Sequence, residues 1–186
     1  MTYLTDLSIR AAMEQDGLVI SPLNPDALQP ASVDVTLGPT LIRRTLGAIV
    51  DPSVDQSVCW EDVPFGGDRW LLQPHQLYLG ALAEYVEIPD DMLAFLHGRS
   101  TLARCGISIH QQAGLLDPGY HGCATVELTV IYPTWLRPGD PIGQLVFAKC
   151  QTAALRPYGH YRLHSKYQGD RRPTPAWPFT REATMP

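Results

Sequence analysis

The sequence predicts a mostly β fold, closed into a roll or distorted barrel and preceded by one short helix. The 17 prolines and 15 glycines divide the 186 residues into short runs of strand-forming residues. Helical patterns do not alternate with these runs, so βαβ units and a parallel sheet are not predicted. Many short strands separated by turns are typical of a sandwich or a roll.

The one predicted helix spans residues 5–15. Thr5 can cap its start, and Asp6 favours the positive end of the helix dipole. Gly17 can end it, because glycine adopts the left-handed conformation found after many helices. Pro22 then interrupts any further helical pattern.

Eight later runs are predicted strands. Each is short, rich in β-branched or aliphatic residues, and bounded by Gly, Pro or Asp. Turns are predicted at residues 117–119 and 137–140, where Pro and Gly occur together. The predicted strands are Ser32–Leu37, Leu41–Arg44, Trp70–Leu72, Leu77–Ala83, Met92–Leu96, Ile107–His110, Ala124–Val130 and Gln144–Lys149.

The composition is typical of a folded cytoplasmic protein. Hydrophobic residues make up 45% and charged residues 18%, and we find neither a signal peptide nor an apolar run of membrane-spanning length. The net charge of −5 argues against a broad basic surface for a nucleic-acid backbone. We therefore expect no membrane and no nucleic-acid partner.

The chain is predicted to divide into a β domain, residues 1–157, and a C-terminal tail, residues 158–186. From Tyr158 onward the composition shifts to polar, aromatic and proline residues, which cannot bury a core by themselves. The tail therefore either stays mobile or folds over something else. Its lysine and arginine residues favour an anionic ligand.

The four cysteines are predicted to be buried free thiols. They lie far apart and form no CxxC pair, so they indicate neither a disulfide framework nor a zinc ribbon. They are Cys59, Cys105, Cys123 and Cys150.

Two arginines and two hydroxyl groups are concentrated in the segment Gly98–Arg104. Gly98 permits an unusual backbone angle, and Ser100 can begin a short helix. Free N–H groups and the Arg99 guanidinium could then converge on phosphate oxygens. From the spacing alone, a capped surface turn with solvated arginines is the favoured interpretation.

Glu127 is the candidate proton-transfer residue. In the strand Ala124–Val130, apolar and polar residues alternate, so Glu127 shares a face with Thr125 and Thr129 and points away from the core. A carboxylate there is usually solvated, but in a partly closed cleft it can act as a general acid and base. The pattern alone does not choose between these interpretations.

Five blocks in the same order resemble the dCTP deaminases, a family related to the trimeric dUTPases. The resemblance spans nearly the whole chain and implies a dUTPase-like fold. The blocks are Gln29–Gly38, Gly98–Arg104, Ala113–Gly122, Gly143–Leu145, and Arg156–Gly159 with Ser165–Gly169.

The resemblance implies that the chain hydrolyses the 4-amino group of dCTP, giving dUTP and ammonia. Glu127 would be the general base and later proton donor. Ser100 and Arg104 would hold the water and stabilise the developing charge. Zinc deaminases instead carry an H-x-E and P-C-x-x-C signature, which is absent here, so a zinc-independent reaction is expected.

The resemblance also implies the substrate contacts and the assembly. The chain would form a homotrimer with sites between subunits, and its tail would close over the nucleotide, whose phosphates bring Mg²⁺. No metal held by protein ligands is expected. The implied contacts are Arg99, Thr101, Lys166 and Gln168 with the triphosphate, Asp117 with the 3′-hydroxyl, backbone groups near Ala113 with the pyrimidine edge, and Tyr158 near the base or the tail.

Three alternatives remain open: a bifunctional enzyme that also cleaves dUTP to dUMP and diphosphate, a dUTPase, and a non-catalytic nucleotide-binding module. Gly114-Leu115 is closer to the Gly-aromatic pair of bifunctional members than to the His-Arg pair of many monofunctional ones. The presence of Glu127 favours deamination, because dUTPases typically have an apolar residue there. Gln111-Gln112 stands where the family has a small residue and the threonine associated with dTTP inhibition, which leaves binding of dTTP or dUTP as regulators open.

Overall fold

The computed structural model describes residues 2–47 and 49–178, and they form a mostly β fold. The predicted fold class is confirmed. Two short α-helices are present in this part of the chain, α1 at Asp6–Ala11 and α2 at Ser100–Arg104. The strands are β1 Thr2–Tyr3, β2 Val19–Ser21, β3 Leu28–Gln29, β4 Ser32–Arg44, β5 Trp60–Asp62, β6 Trp70–Leu72, β7 Tyr78–Leu82, β8 Tyr85–Glu87, β9 Met92–Gly98, β10 Ile107–Ser108, β11 Leu115–Leu116, β12 His121–Gly122, β13 Thr125–Val130, β14 Thr134–Leu136 and β15 Pro141–Lys149.

The predicted N-terminal helix is present with a different internal structure. After α1 the chain continues as a π-helical turn over Ala12–Asp16, and Gly17 ends it with φ +82°. Within the described chain the Thr5 side chain caps no helix N–H, so that part of the prediction is wrong. The Thr5 carbonyl instead accepts the first helical hydrogen bond, 2.8 Å from the Ile9 nitrogen.

The longest strand, β4, joins two halves of one large sheet. Its first half pairs with β15, and its second half pairs with β7 and β5. Two separate strands were predicted here, because Pro39 interrupts the alternation. The structure shows one strand with a bulge between Leu37 and Leu41, where the backbone changes direction. A Cβ on Gly38 would lie 2.9 Å from the Ala81 carbonyl oxygen, so the bulge needs glycine.

The core lies on the inner faces of these long strands. In β4, Val33, Val35 and Leu37 are fully buried, and Leu145 and Phe147 of β15 are buried beside them. The strand alternation that predicted β4, β13 and β15 therefore identified real core faces. The eight strands that were not predicted are two or three residues long, which is too short to show a period in the sequence.

The cysteine prediction is half right. All four thiols are free, but only Cys123 is buried, and Cys105 is exposed. Burial raises the pKa of the Cys123 thiol. Within the described residues, no helix has the length and apolar character needed to cross a membrane.

The tail folds back over the body of its own chain. The Tyr158 N–H donates to the Pro118 carbonyl at 2.7 Å, and the Cys123 N–H donates to the Asp170 carbonyl at 2.7 Å. Residues 179–186 of the predicted tail lie outside the described residues. The described part of the tail therefore folds over another part of the protein, which is the second of the two alternatives predicted, because it packs on the segment 118–123.

We predict that Gly119→Ala destabilises the fold where the tail begins. Gly119 has φ +83°, and an added Cβ would lie 2.5 Å from the Pro157 Cβ. Gly139 is the matched control, since it has the same φ of +83° and no described atom lies within 4 Å of an added Cβ. Urea unfolding should show a cost of about 1 kcal/mol for Gly139→Ala and about 1–3 kcal/mol more for Gly119→Ala. Equal costs would mean that the tail moves aside freely.

Candidate active site

A cavity of about 690 Å³ lies between the polar face of β13, the loop 111–117 and the tail. This volume is within the range of about 300–1,000 Å³ that is typical of small-molecule sites. Four of the predicted site residues line it. They are Ala113, Asp117, Glu127 and Tyr158.

A second open depression lies beside Lys149 and contains several acidic residues. The Lys149 ammonium there already has two partners, since it lies 2.9 Å from the Asp16 carboxylate and 3.1 Å from the Asp91 carboxylate. These ion pairs are exposed and need no ligand. The cavity at β13 is therefore the better candidate site.

Glu127 lies on the half-buried face of β13, as predicted. Residues of this strand alternate strictly between buried and half-buried, with Val126 and Leu128 fully buried on either side of Glu127. The strand pairs with β7 on one side and with β10 on the other, so its backbone is fixed from both edges. One carboxylate oxygen accepts a hydrogen bond from the Gln111 N–H at 3.0 Å.

The loop that follows β10 supplies Ala113, and the turn that follows β11 supplies Asp117; both residues are exposed and line the cavity. Gly114 lets this loop approach β9 closely, since a Cβ there would lie 2.8 Å from the Leu96 carbonyl oxygen. The Asp117 carbonyl accepts from the Tyr120 N–H at 3.1 Å, which closes the predicted turn. The turn leaves the Asp117 side chain directed away from the core.

Tyr158 connects the tail to the wall of the cavity. Its ring lies 5.8 Å from that of Tyr120, and its hydroxyl accepts from the Tyr167 N–H at 3.1 Å. Tyr120 is buried, and this burial, with Asp170 nearby, raises the pKa of its phenol. Tyr120 therefore stays a neutral wall residue at any physiological pH.

Lys166 and Gln168 do not line the cavity in the part of the chain that the structure describes. The Gln168 amide donates to the Gly119 carbonyl at 2.8 Å and accepts from the His121 N–H at 3.3 Å. The Lys166 ammonium donates to the Pro178 carbonyl at 3.1 Å. Both predicted phosphate ligands thus hold the tail in its folded position in this structure.

The remaining predicted residues lie on or beside α2, away from the cavity. Arg99 precedes the helix, and its guanidinium lies 3.3 Å from the Asp34 carboxylate. Ser100 and Arg104 are exposed on the helix itself. The Thr101 side chain is exposed as well. Among the described residues that line the cavity, none belongs to α2.

Asp34 explains how the segment before α2 is held. Its second oxygen accepts from the Gln144 amide at 3.2 Å, so Asp34 joins Arg99 to β15. Sequence reasoning did not find the N–H of Gln111 or the cavity residues Tyr167 and Thr174, because backbone donors and loop contacts leave no residue pattern.

Comparisons with known proteins agree on one family. Residues 3–150 match the family model described as dCTP deaminase-like. A dUMP-forming dCTP deaminase of Bifidobacterium animalis subsp. lactis is 38% identical over 178 residues, which cover 93% of this chain and 92% of that protein. One of Mycobacterium sp. (strain KMS) is 39% identical over 179 residues, with 93% and 94% covered.

A solved structure has the same fold. The 2′-deoxycytidine 5′-triphosphate deaminase from Agrobacterium tumefaciens aligns with a TM-score of 0.62 and 26% identity, over 83% of this chain. The chain spans 50% of the length of that protein's chain. Because the family model covers most of the β domain and the relatives cover nearly the whole chain, this chain belongs to the dCTP deaminase-like family.

Proposed function

We propose that the chain is a dCTP deaminase that goes on to release dUMP. The observation that carries this proposal is the Glu127 carboxylate, which lies in the wall of a nucleotide-sized cavity with one oxygen fixed by the Gln111 N–H. A single positioned carboxylate can serve as acid and base in turn. The names of the relatives, dCTP deaminase, dUMP-forming, support the substrate and the product.

In the proposed deamination, water adds to C4 of cytosine. The water oxygen forms a bond to C4 while the C4–N3 double bond opens, and Glu127 takes a proton from the water and passes it to N3. The carboxylate then takes the proton of the new hydroxyl group and hands it to the amine. Ammonia leaves as the C4–N bond breaks and the C4 carbonyl forms. Fixing one carboxylate oxygen keeps the other within reach of each of these atoms.

The site is proposed to be completed by a neighbouring subunit in a homotrimer. Ser100 and Arg104 are exposed on α2 and do not line the cavity that contains Glu127 in the same chain. A cyclic assembly would place α2 of one copy at the cavity of the next. The Arg104 guanidinium and the Ser100 hydroxyl would then stabilise the charge that develops on the ring, as donors do in an oxyanion hole.

The proposed product is dUMP, whereas the main expectation from the sequence was dUTP. In the second step, a water oxygen attacks the α-phosphorus of dUTP, and the bond to diphosphate breaks. Release of dUTP itself is the second candidate function. Leu115 favours this second candidate, because bifunctional members are expected to have an aromatic residue at that position.

The substrate is proposed to be the Mg²⁺ complex of dCTP, and the reaction is proposed to need no zinc. Arg99, Thr101, Lys166 and Gln168 are the proposed phosphate contacts, which requires Lys166 and Gln168 to exchange their present partners for phosphate oxygens. Zinc independence rests on the missing H-x-E and P-C-x-x-C signature. Within residues 2–47 and 49–178, no group of three or more His, Cys, Asp or Glu side chains could hold a metal.

One chromatographic experiment tests the proposal. Purified protein is incubated with dCTP and Mg²⁺, and nucleotides and ammonia are measured over time. We expect dUMP and ammonia in equal amounts, with diphosphate and little free dUTP. Accumulation of dUTP would support the second candidate function. If no ammonia is released, incubation with dUTP separates the two remaining alternatives: formation of dUMP would indicate a dUTPase, and binding without any product would indicate the non-catalytic nucleotide-binding module.

A further inference from the structure

The loop between β10 and β11 is held on the polar face of β13 by three hydrogen bonds. The Glu127 N–H donates to the Ile109 carbonyl at 3.0 Å, and the Gln111 N–H donates to Glu127 Oε2 at 3.0 Å. The third bond joins side chains, from Gln111 Nε2 to Thr129 Oγ1 at 3.2 Å. Gln111 therefore contacts Glu127 through its backbone and Thr129 through its side chain.

The hydrogen bond between the Gln111 and Thr129 side chains lies in a part of the loop that has no backbone hydrogen bonds of a β-sheet. β10 ends at Ser108 and β11 begins at Leu115, so Gln111 lies in a segment without strand pairing. Gln111 is exposed, and its side chain would otherwise sample several rotamers. Anchoring it to Thr129 restricts the peptide plane whose N–H reaches the carboxylate. Thr129 lies two residues after Glu127 on the same strand face. Both contacts of Gln111, through its backbone N–H and through its side chain, are therefore made to β13.

We propose that Gln111 and Thr129 are positioning residues for Glu127, acting through the Gln111 N–H. The inference rests on the proposed role of Glu127 in deamination. A carboxylate that rotates about its side-chain torsions spends less time aligned with the attacking water. Removing the anchor should therefore lower kcat while leaving the nucleotide contacts, and hence KM, nearly unchanged.

The test uses side chains of similar shape that cannot form the bond. Gln111→Met keeps the length of the side chain, and Thr129→Val keeps its volume and branching. We expect each variant to lose about tenfold in kcat with KM changed less than about twofold, since each lacks one hydrogen bond that positions the carboxylate. Thr129→Ser keeps the hydroxyl and should retain kcat within about twofold.

The double variant Gln111→Met with Thr129→Val shows whether the two side chains affect kcat through their shared hydrogen bond or independently of each other. If both residues act through one bond, its kcat should equal that of either single variant, whereas independent effects would multiply. Thermal unfolding and gel filtration accompany each variant. Since Gln111 is exposed, Gln111→Met should fold even if the change at Thr129 is not tolerated.

Three results would overturn the inference: multiplicative losses, equal kcat in Thr129→Val and Thr129→Ser, or a change confined to KM. Failure of the proposed function is recognised separately. If Glu127→Gln deaminates dCTP normally, the role of Glu127 is wrong. If Glu127→Gln is inactive and Gln111→Met keeps the full kcat, only the positioning role is wrong.

Discussion

Glu127→Gln should lower the rate of ammonia release from dCTP about 100- to 10,000-fold, the range expected when a general acid and base is removed. The amide has nearly the shape of the carboxylate, and its oxygen can still accept from the Gln111 N–H that now lies 3.0 Å from Glu127. It cannot take a proton from water or return one to the amine. Folding and nucleotide binding should therefore persist while turnover is lost.

The matched control is Glu14→Gln, because Glu14 is exposed on the N-terminal helical segment. It removes the same charge at a distance from the cavity and should leave turnover unchanged. Ammonia release is measured with a coupled assay, and dCTP binding by calorimetry. Near-normal turnover in Glu127→Gln would contradict the proposed chemistry.

Mixing two inactive variants should restore activity, and this is the second large effect that we expect. Arg104→Ala alone should be nearly inactive, because it removes the guanidinium proposed to stabilise the developing charge. In a trimer with shared sites, a subunit with Glu127 intact can meet a neighbour with Arg104 intact. Each mixed trimer of Glu127→Gln and Arg104→Ala chains would then contain one intact site of three, so isolated mixed trimers should have about one third of wild-type activity.

The experiment requires co-expression with two different affinity tags, so that mixed assemblies can be isolated. As the control, each single variant is co-expressed with itself in the two differently tagged forms, and these assemblies should stay inactive. Light scattering gives the number of chains in each sample. If mixed trimers form and remain inactive, the site does not combine Glu127 of one chain with Arg104 of another.

Most of the strands that the sequence predicted have an extended period, although the short strands β6 and β10 were predicted as well. Strands of five or more residues, such as β7, β9, β13 and β15, repeat the alternation of buried and exposed side chains often enough to be recognised. Strands of two residues, such as β11 and β12, show no such period and form because their neighbours are already in place. The π-helical turn after α1 has no recognised sequence signature at all.

For the site, the sequence allowed us to predict which side chains have suitable chemistry, but not which of them lie close together in the folded chain. The polar face of β13 followed directly from its alternation. The separation of α2 from the cavity could not be foreseen from spacing, since contacts between distant segments depend on the whole sheet order. The resemblance to the family implied the roles but not these positions in a single chain.

Glu84 shows why burial alone would not have selected the candidate residue. It is 7% exposed, and its carboxylate accepts from the Thr36 N–H at 2.9 Å and from the Thr36 hydroxyl at 2.8 Å. These bonds occupy both oxygens and hold the backbone of β4 in place. Glu127 differs because it is less buried and lines the cavity. An acidic residue with spare hydrogen-bonding capacity is the better candidate for chemistry.

The bulged strand β4 has a consequence for how the molecule melts. It pairs with β15 at one end and with β7 at the other, so its residues contribute to the cores of both halves of the sheet. Neither half can detach without stripping a strand from the other and exposing apolar side chains to water. Partial melting is thereby disfavoured, and both halves should lose their structure together in one cooperative transition.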